Sequence, residues 1–282
     1  TYLKPHEGDF LPILECGGAR ELKWSPLLET RAGKGRAILN SFPSLALDDP
    51  IVLKLMANAI LYAARTENGA RRPLAVALGT NTAARAFLAR AFVKTTGNVS
   101  DADVLLVDAS AGGTARKAAA SLLKKGGTVW LHGANPEFVR AALGEKIGGR
   151  LAFSENRPGV LFAPKAPGAD TGLLRGVSNE DLAWCLAPLP GEKWSSPGEA
   201  NYWRAAVKTA EPPRWQVEAA DPMRMFGRFR KLTNPGFLAE LKVGRGRVLV
   251  DCLDWERAVE KEPEKALRTV ALLARNLGCA FD

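Results

Sequence analysis

Several kinds of residue are scarce in this chain of 282 residues. It has four cysteines, none of them in a CxxC pair, and two histidines, His6 and His132. The cysteines therefore predict buried free thiols instead of a disulfide framework or a structural zinc site. Two histidines exclude a His-rich metal centre, although carboxylate sites for calcium or magnesium stay open. No metal site and no cofactor are predicted.

Long apolar runs are also missing. No stretch approaches the 18 consecutive apolar residues of a membrane span, so no membrane span is predicted. The first residues lack the basic-then-apolar layout of a secretory signal. Because residue 1 is threonine, we expect a fragment or processed product of a longer protein, and the compartment stays open.

Basic residues are in excess, with a net charge of +9. Most of them are dispersed along the chain. The densest group interleaves with Met and Phe in a pattern typical of a half-buried strand, so binding of nucleic acid is not favoured, and polyanion binding remains a further hypothesis. This group consists of Arg224, Arg228, Arg230 and Lys231.

One segment of the sequence occurs twice. Leu27–Leu39, LLETRAGKGRAIL, returns as Leu238–Val250, LAELKVGRGRVLV. Each copy predicts two strands joined by a tight glycine turn, because glycine tolerates the positive φ that such a turn needs. An acidic residue, a proline and an Ala/Leu-rich helix follow each copy, at Pro50 and at Pro263. We interpret residues 1–65 as the C-terminal portion of a first α/β module.

The middle of the chain has another pattern. Short apolar strands are predicted at 74–78, 103–107 and 127–131, each followed by a helix. Strands that are apolar on both faces and alternate with helices indicate a doubly wound, mostly parallel sheet of the α/β class. Residues 66–72 are interpreted as a linker and 73–282 as a complete α/β module. An irregular insertion, which opens with a hairpin at 150–164, occupies about 148–235 of it.

A strand gives way to a helix at His132-Gly-Ala-Asn-Pro, which is the position of a nucleophile elbow. A hydrolase or amidotransferase needs Ser or Cys there, but this chain has Gly133 and Ala134. His132 is therefore either a hydrogen-bonded structural residue or a general base.

Other polar residues follow the predicted strands. Asn81 lies in a GTNT turn, where it caps a helix or contacts an anion, and DCLDWE at Asp251–Glu256 places carboxylates beside a tryptophan, as in glycosidases. Tryptophans of the irregular segment either pack or line a carbohydrate groove. The candidate catalytic residues are His132, Asp108 and Asp254, and the candidate ligand-binding residues are Asn81, Asn135, Trp184 and Trp255.

Four segments resemble the accessory C-terminal modules of bacterial glycoside hydrolases of the β-galactosidase type, family 2 and its relatives. They are SPLLETRAGKGRAIL, DDPIVLKLMANAILYAA, LLKKGGTVWLHGAN and LLRGVSNEDLAW, and the resemblance spans most of 25–280. It implies a class I glutamine-amidotransferase-like fold without the catalytic cysteine. It also implies a parent glycosidase whose catalytic carboxylates lie in a barrel domain on the same polypeptide or a partner chain. A periplasmic or secreted location follows from the resemblance only.

Three hypotheses result. The first is a non-catalytic module that contacts carbohydrate, acts as a scaffold or forms a homo-oligomer. The second is a stand-alone α/β hydrolase-type enzyme that acts at the C-terminal rim of the sheet, and it predicts that Asp108, His132, Asn135 and Asp254 converge in one cleft. The third is a polyanion-binding protein.

Overall fold

The computed structural model describes residues 1–18, 21–33, 35–43, 46, 48–65, 71–148, 151–155, 172–178, 181, 205–209, 215–220, 236–256, 258 and 263–282. The strands in these ranges are β1 (Tyr2–Leu3), β2 (Phe10–Gly18), β3 (Glu21–Ala32), β4 (Gly35–Asn40), β5 (Leu74–Ala77), β6 (Thr95–Thr96), β7 (Val104–Val107), β8 (Thr128–His132), β9 (Leu151–Glu155), β10 (Ala205–Thr209), β11 (Trp215–Ala220), β12 (Gly236–Val243) and β13 (Gly246–Asp251). The helices are α1 (Pro50–Ala63), α2 (Thr82–Arg90), α3 (Gly112–Lys125), α4 (Pro136–Leu143), α5 (Glu145–Gly148) and α6 (Pro263–Asn276).

A nine-stranded sheet forms the larger part of the fold. Its order is β6-β5-β7-β8-β13-β12-β10-β9, and β11 also pairs with β12. The strands from β6 to β13 are parallel, whereas those beyond β13 pair antiparallel. The prediction of an α/β fold with parallel strands and flanking helices is confirmed.

Helices cover both faces of the parallel strands. Trp130 of β8 packs in a core with residues of α2 and α6. Its neighbour Val129 points to the other face, where the core contains residues of α3 and α4. Successive residues of a strand alternate between faces, so a strand buried on both sides is apolar throughout. This explains why β5, β7 and β8 appear in the sequence as short apolar runs.

A second, smaller sheet precedes the large one. β3 pairs antiparallel with β2 along one edge, and with β1 and β4 along the other. Residues 1–26 contain proline and glycine and predict irregular structure, and this prediction is wrong, because β1, β2 and the first half of β3 lie there. The β2–β3 pairing shifts register beyond Pro12, Leu14 and Cys16. Such bulges interrupt the alternation of apolar residues that would otherwise mark a strand.

The predicted local hairpin at 150–164 is not the pairing found for β9. β9 pairs with β10, whose residues lie about fifty positions later in the sequence. Residues 156–164 of the predicted hairpin lie outside the described residues, as do 66–70 of the predicted linker and the basic group at 224–231.

Helix α6 lies between the two sheets. Its apolar residues face the core of the large sheet, and its two arginines reach the N-terminal strands. Arg268 Nη1 donates to Asp181 Oδ1 at 2.7 Å, and Arg275 Nε donates to Asp9 Oδ1 at 2.8 Å and also binds Glu29. These arginines are almost fully buried, and the paired carboxylates, together with the carbonyl oxygens of Lys4 and Pro5 at Arg268, compensate for their lost hydration.

Candidate functional site

A cavity of about 420 Å³ opens at the carboxyl ends of β5, β7, β8 and β13. Ligands of open α/β sheets bind at this edge, where the loops that follow the strands converge. The lining residues are Thr80, Asn81, Asp108, Ala109, Ser110, His132, Gly133, Ala134, Cys252, Leu253, Asp254 and Glu256.

His132 lies at the base of the cavity, between two carboxylates. Its Nε2 is 3.0 Å from Glu256 Oε1, and Asn81 Nδ2 donates to the same oxygen at 2.9 Å. On the other side His132 Nδ1 is 3.5 Å from Asp251 Oδ2, an ion-pair distance without good hydrogen-bond geometry. The indole of Trp255 stacks on the imidazole with 3.8 Å between ring centroids.

These neighbours keep His132 charged. Burial alone would lower its pKa, but the neighbouring carboxylates of Asp251 and Glu256 outweigh burial and raise the pKa from 6.5 to about 10. Burial likewise favours a raised pKa for Glu256, and the contact with His132 reverses this and lowers it to about 2. At neutral pH the pair is therefore an imidazolium and a carboxylate, and His132 has no lone pair with which to accept a proton.

The turn after β8 has the backbone of a nucleophile elbow. Gly133 has φ +61°, and a Cβ built on it meets no atom within 4 Å. A side chain at this position would therefore extend into open space beside the cavity. Asn135, which follows, caps α4 by accepting a hydrogen bond from Phe138 N at 2.9 Å. The turn thus has a left-handed residue at the elbow position, and that residue carries no side chain.

One of the two hydroxyls that line the cavity belongs to Ser110, and the other belongs to Thr80. Ser110 Oγ is 2.6 Å from Asp108 Oδ1 and 2.7 Å from the carbonyl oxygen of Leu78. The backbone N–H of Ser110 also donates to Asp108 Oδ1, at 3.0 Å, so the carboxylate closes the turn that follows β7. The arrangement is that of a structural turn, since the imidazole of the cavity binds Glu256 instead of this hydroxyl.

The thiol in the cavity wall is Cys252. It is buried and directs Sγ toward the carbonyl oxygen of Ala134, at 3.7 Å. Burial raises its pKa well above 9.0, so it stays protonated at neutral pH and is a poor nucleophile. Cys252 and Cys279 are both buried free thiols, and Cys16 is free and half-buried.

The structure brings together four of the residues singled out from the sequence: Asn81, Asp108, His132 and Asp254. Asn135 lines a neighbouring cavity of about 450 Å³ that also contains Asp108. Trp255, predicted to contact a ligand, is 0% exposed and lines neither cavity, and its indole packs against His132, Trp130 and Phe87. Trp184 lies outside the described residues.

Sequence reasoning missed the partners of His132. Glu256 and Asp251 both belong to the DCLDWE segment. From the sequence this segment is predicted to place carboxylates beside a tryptophan, and not to supply the counter-ions of a histidine about 120 residues earlier. The available signal was the strand pairing, because β13 lies parallel to β8 and places Asp251 opposite His132. Among the described residues, no group of three or more His, Cys, Asp or Glu side chains is arranged to hold a metal ion.

Comparisons with known proteins give only distant structural neighbours. No family model matches the chain, and no curated protein matches it. One neighbour is an exo-β-1,4-mannosidase from Opitutaceae bacterium strain TAV5, at 13% identity and a TM-score of 0.37. The match covers 71% of this chain and 31% of the mannosidase, so the chain spans about a third of its length.

Two further neighbours match over nearly their whole length. A ThuA-like protein from Bacteroides uniformis has 11% identity and a TM-score of 0.40, with 77% of this chain and 95% of that chain covered. PurLQS from Thermotoga maritima has 11% identity and a TM-score of 0.39, with 72% and 98% covered. Values this low carry no argument about function. No described helix has the length and apolar character needed to cross a membrane.

Proposed function

We propose that this chain is a non-catalytic α/β module of a glycoside-hydrolase-like protein, and that the cavity at its sheet edge contacts a neutral, hydroxyl-rich ligand such as a carbohydrate. One observation carries the non-catalytic part: the elbow is formed, but Gly133 occupies it, beside a histidine that two carboxylates keep protonated. An amidotransferase-like architecture that lacks its nucleophile accounts for both features.

Three groups of the cavity that could react, the hydroxyl of Ser110, the thiol of Cys252 and the imidazole of His132, are engaged elsewhere. The proton of Ser110 is directed at a carboxylate or a carbonyl, the thiol of Cys252 is held protonated by burial, and His132 is an imidazolium. Nucleophilic catalysis needs a side chain in reach of a base that can take its proton. The described residues of the cavity do not supply such a pair.

The chemistry of the lining favours a neutral polar ligand. Asp108, Asp254 and Glu256 supply carboxylate oxygens, and Thr80 and Asn81 add a hydroxyl and an amide. Among the described residues that line the cavity the single cation is His132, and it already has two carboxylate neighbours, so an anionic ligand would meet repulsion there. Carbohydrate is the hydroxyl-rich class that the resemblance of 25–280 implies for the parent protein.

The test is calorimetric titration of the chain with mannose, galactose and β-1,4-linked manno-oligosaccharides. Gly133→Asn places a side chain in the cavity at a positive φ that asparagine tolerates, and we expect it to weaken binding about tenfold or more. Gly278→Asn is the matched control, because Gly278 also has a positive φ and open space around it and does not line the cavity. Absence of binding to every sugar would refute the proposed ligand class.

The second candidate is an enzyme acting at the sheet rim, favoured by the convergence of Asp108, His132 and Asp254 on one cavity. The enzyme hypothesis is tested by incubating the same protein with chromogenic aryl glycosides and esters and measuring the release of the chromophore. Turnover that Asp108→Asn abolishes would establish the enzyme and contradict the non-catalytic proposal. If no substrate is converted and the chain binds a sugar, the result supports the non-catalytic module.

A further inference from the structure

Two parts of the chain have the same strand pairing. The N-terminal unit is β1–β4 with α1, and the C-terminal unit is β10–β13 with α6. In the first hairpin the pairs run from Leu27↔Asn40 to Ala32↔Gly35, and in the second they run from Leu238↔Asp251 to Val243↔Gly246. All six pairs correspond at a constant offset of 211 residues.

The agreement extends to the outer strands. Phe10↔Thr30 in the N-terminal unit corresponds to Trp215↔Leu241, and both pairings skip one residue at the same place, after Pro12 and after Val217. The short strands β1 and β10 pair at corresponding positions too, through Ser25 and through Gly236. In each unit the hairpin is followed by a 14-residue helix that begins with proline.

The two units differ in what lies beside them. The outer edge of β13 pairs in parallel with β8, from Arg247↔Thr128 to Asp251↔His132. The corresponding edge of β4 has no pairing partner among the described residues. Consequently residues 36–39 of β4 are only half-buried, whereas most of β13 is buried. An unpaired strand edge presents N–H and C=O groups ready to bind another strand.

Helix α1 exposes the face that would normally be buried. Leu53, Ile60 and Leu61 are 56%, 65% and 62% exposed, and with Ala57 they follow the i, i+4, i+7, i+8 spacing of a core-facing stripe. Lys54 is the single charged residue of the helix. A helix this apolar is expected in a protein interior, and the corresponding helix α6 is enclosed on all sides.

We propose that the β4 edge and the outer face of α1 bind a parallel-stranded α/β unit of the same polypeptide, located outside residues 1–282. A strand of that unit takes the place beside β4 that β8 has beside β13, and its helices cover α1 as the sheet core covers α6. Chain order supports this occupant, because β5–β8 precede the second hairpin in the sequence, and the same order places a corresponding core before the first hairpin.

Other occupants fit the geometry less well. Two copies of this chain related by a two-fold axis would bring their β4 edges together antiparallel, whereas the corresponding edge of β13 accepts a parallel strand. A membrane surface would require a basic polar face on α1, but Lys54 is its single basic residue. Both alternatives are outcomes that the experiment below separates.

The test is amine-reactive cross-linking at Lys54 of the full protein isolated from its native cells, read by mass spectrometry. Lys54 is exposed on α1, so a cross-linker attached to its amine reacts with residues of whatever covers the helix. We expect cross-links to a peptide of the same polypeptide outside residues 1–282, within a strand–helix unit. Cross-links confined to residues 1–282, between two copies of the Lys54 peptide, or to another protein would overturn the proposal.

A pair of variants makes the test specific for the proposed face. The double variant Leu53→Glu, Leu61→Glu places two charges on the exposed stripe, and we expect the yield of the outside cross-link to fall about tenfold or more. Phe92→Asp is the matched control, since Phe92 is also an exposed apolar residue, 47% exposed, and belongs to the turn after α2, where its carbonyl oxygen accepts from Asp282 N. An unchanged yield in the double variant would count against the face, and circular dichroism establishes that each variant is folded.

Discussion

The N-terminal and C-terminal units show how differently one pairing pattern can be surrounded. Both have the same register, the same bulge position and a helix of the same length. The C-terminal unit has β8 along its edge and is buried, whereas the N-terminal unit has a half-exposed strand and an exposed helix face. Register is therefore decided within each unit by strand alternation and the glycine turn, while burial is decided by the neighbours.

The largest expected effect comes from the contact that joins the two units. Arg275→Met removes the guanidinium that binds Glu29 and Asp9 and leaves the fully buried carboxylate of Glu29 without that partner. We expect the free energy of unfolding to fall by about 3–5 kcal/mol in urea denaturation. Tyr62→Phe, at the corresponding position of α1, removes a hydroxyl that donates to Glu29 Oε2 and accepts from Arg175 Nη2, and should cost about 1 kcal/mol because no charge is left unpaired. Equal losses would contradict this account.

A pair of equivalent core positions tests the difference in burial directly. Leu249 of β13 is 0% exposed, and Ile38, 211 residues earlier, is half-buried. Leu249→Ala should lower the free energy of unfolding by about 2–5 kcal/mol, because it leaves a cavity in the packed core. Ile38→Ala should cost about 1 kcal/mol in the 282-residue chain, since fewer neighbours surround the lost atoms. A cost for Ile38→Ala as large as that for Leu249→Ala would mean that β4 is covered.

Exchange of one corresponding residue isolates the electrostatics of the cavity. Asp251→Asn introduces the residue found at position 40, and its amide cannot hold His132 as an imidazolium as the carboxylate does. We expect the pKa of His132, about 10 in the native chain, to fall by about one unit or more, as measured by NMR titration of the imidazole. The reciprocal variant Asn40→Asp should leave that pKa unchanged.

The same exchange has a signature in stability. A raised pKa in the folded state adds stability that is complete below the unfolded value of 6.5 and is lost as pH rises through about 10. The lowered pKa of Glu256 adds stability above 4.5 that is lost as pH falls through about 2. The thermal unfolding midpoint of the native chain should therefore fall between pH 6.5 and 10. In the Asp251→Asn variant the midpoint should fall less steeply over the same range. An unaltered slope would exclude His132 as its source.

The smallest effect is expected to be the same in both units. Gly33 and Gly244 have φ of +59° and +60°, and a Cβ on either meets nothing within 4 Å. Alanine at each position should cost about 1–2 kcal/mol, because the left-handed backbone alone opposes it. The asparagine variants should cost less in both turns, since asparagine tolerates this conformation. Denaturation curves that differ between Gly33→Ala and Gly244→Ala would show that the surroundings, too, contribute to the turn.

Much of the parallel half of the fold could be predicted from the sequence. The helices predicted at Pro50, at Pro263 and after the strand at 127–131 are α1, α6 and α4, and β5, β7 and β8 lie within one residue of the predicted strands. These elements have local signals: apolar runs, prolines at helix starts and asparagine caps. β9 has no such signal for its partner, because β10 is distant in sequence, whereas the sequence predicts a local hairpin at 150–164.

The candidate site could be predicted in position but not in charge state. Asn81, Asp108, His132 and Asp254 each follow a strand, and parallel strands bring their carboxyl ends to one edge. The protonation of His132 depends on Glu256 and Asp251, which approach it through three-dimensional packing. The surroundings of Trp255 could not be predicted for the same reason. A tryptophan at a strand end can face either a ligand or the core, and its three-dimensional contacts decide which.

The position of α6 between the sheets has a consequence for synthesis of the chain. Arg275 binds Glu29 across 246 positions, and Arg268 binds the carbonyl oxygen of Lys4 across 264. At about 5–20 residues per second, a ribosome needs roughly 10–40 s to proceed from α1 to α6. During that interval the buried carboxylates and lysine of the nascent N-terminal strands have no helix to dock against. Their final packing must therefore follow translation of residues 263–276, which makes this helix the last step in assembling the first sheet.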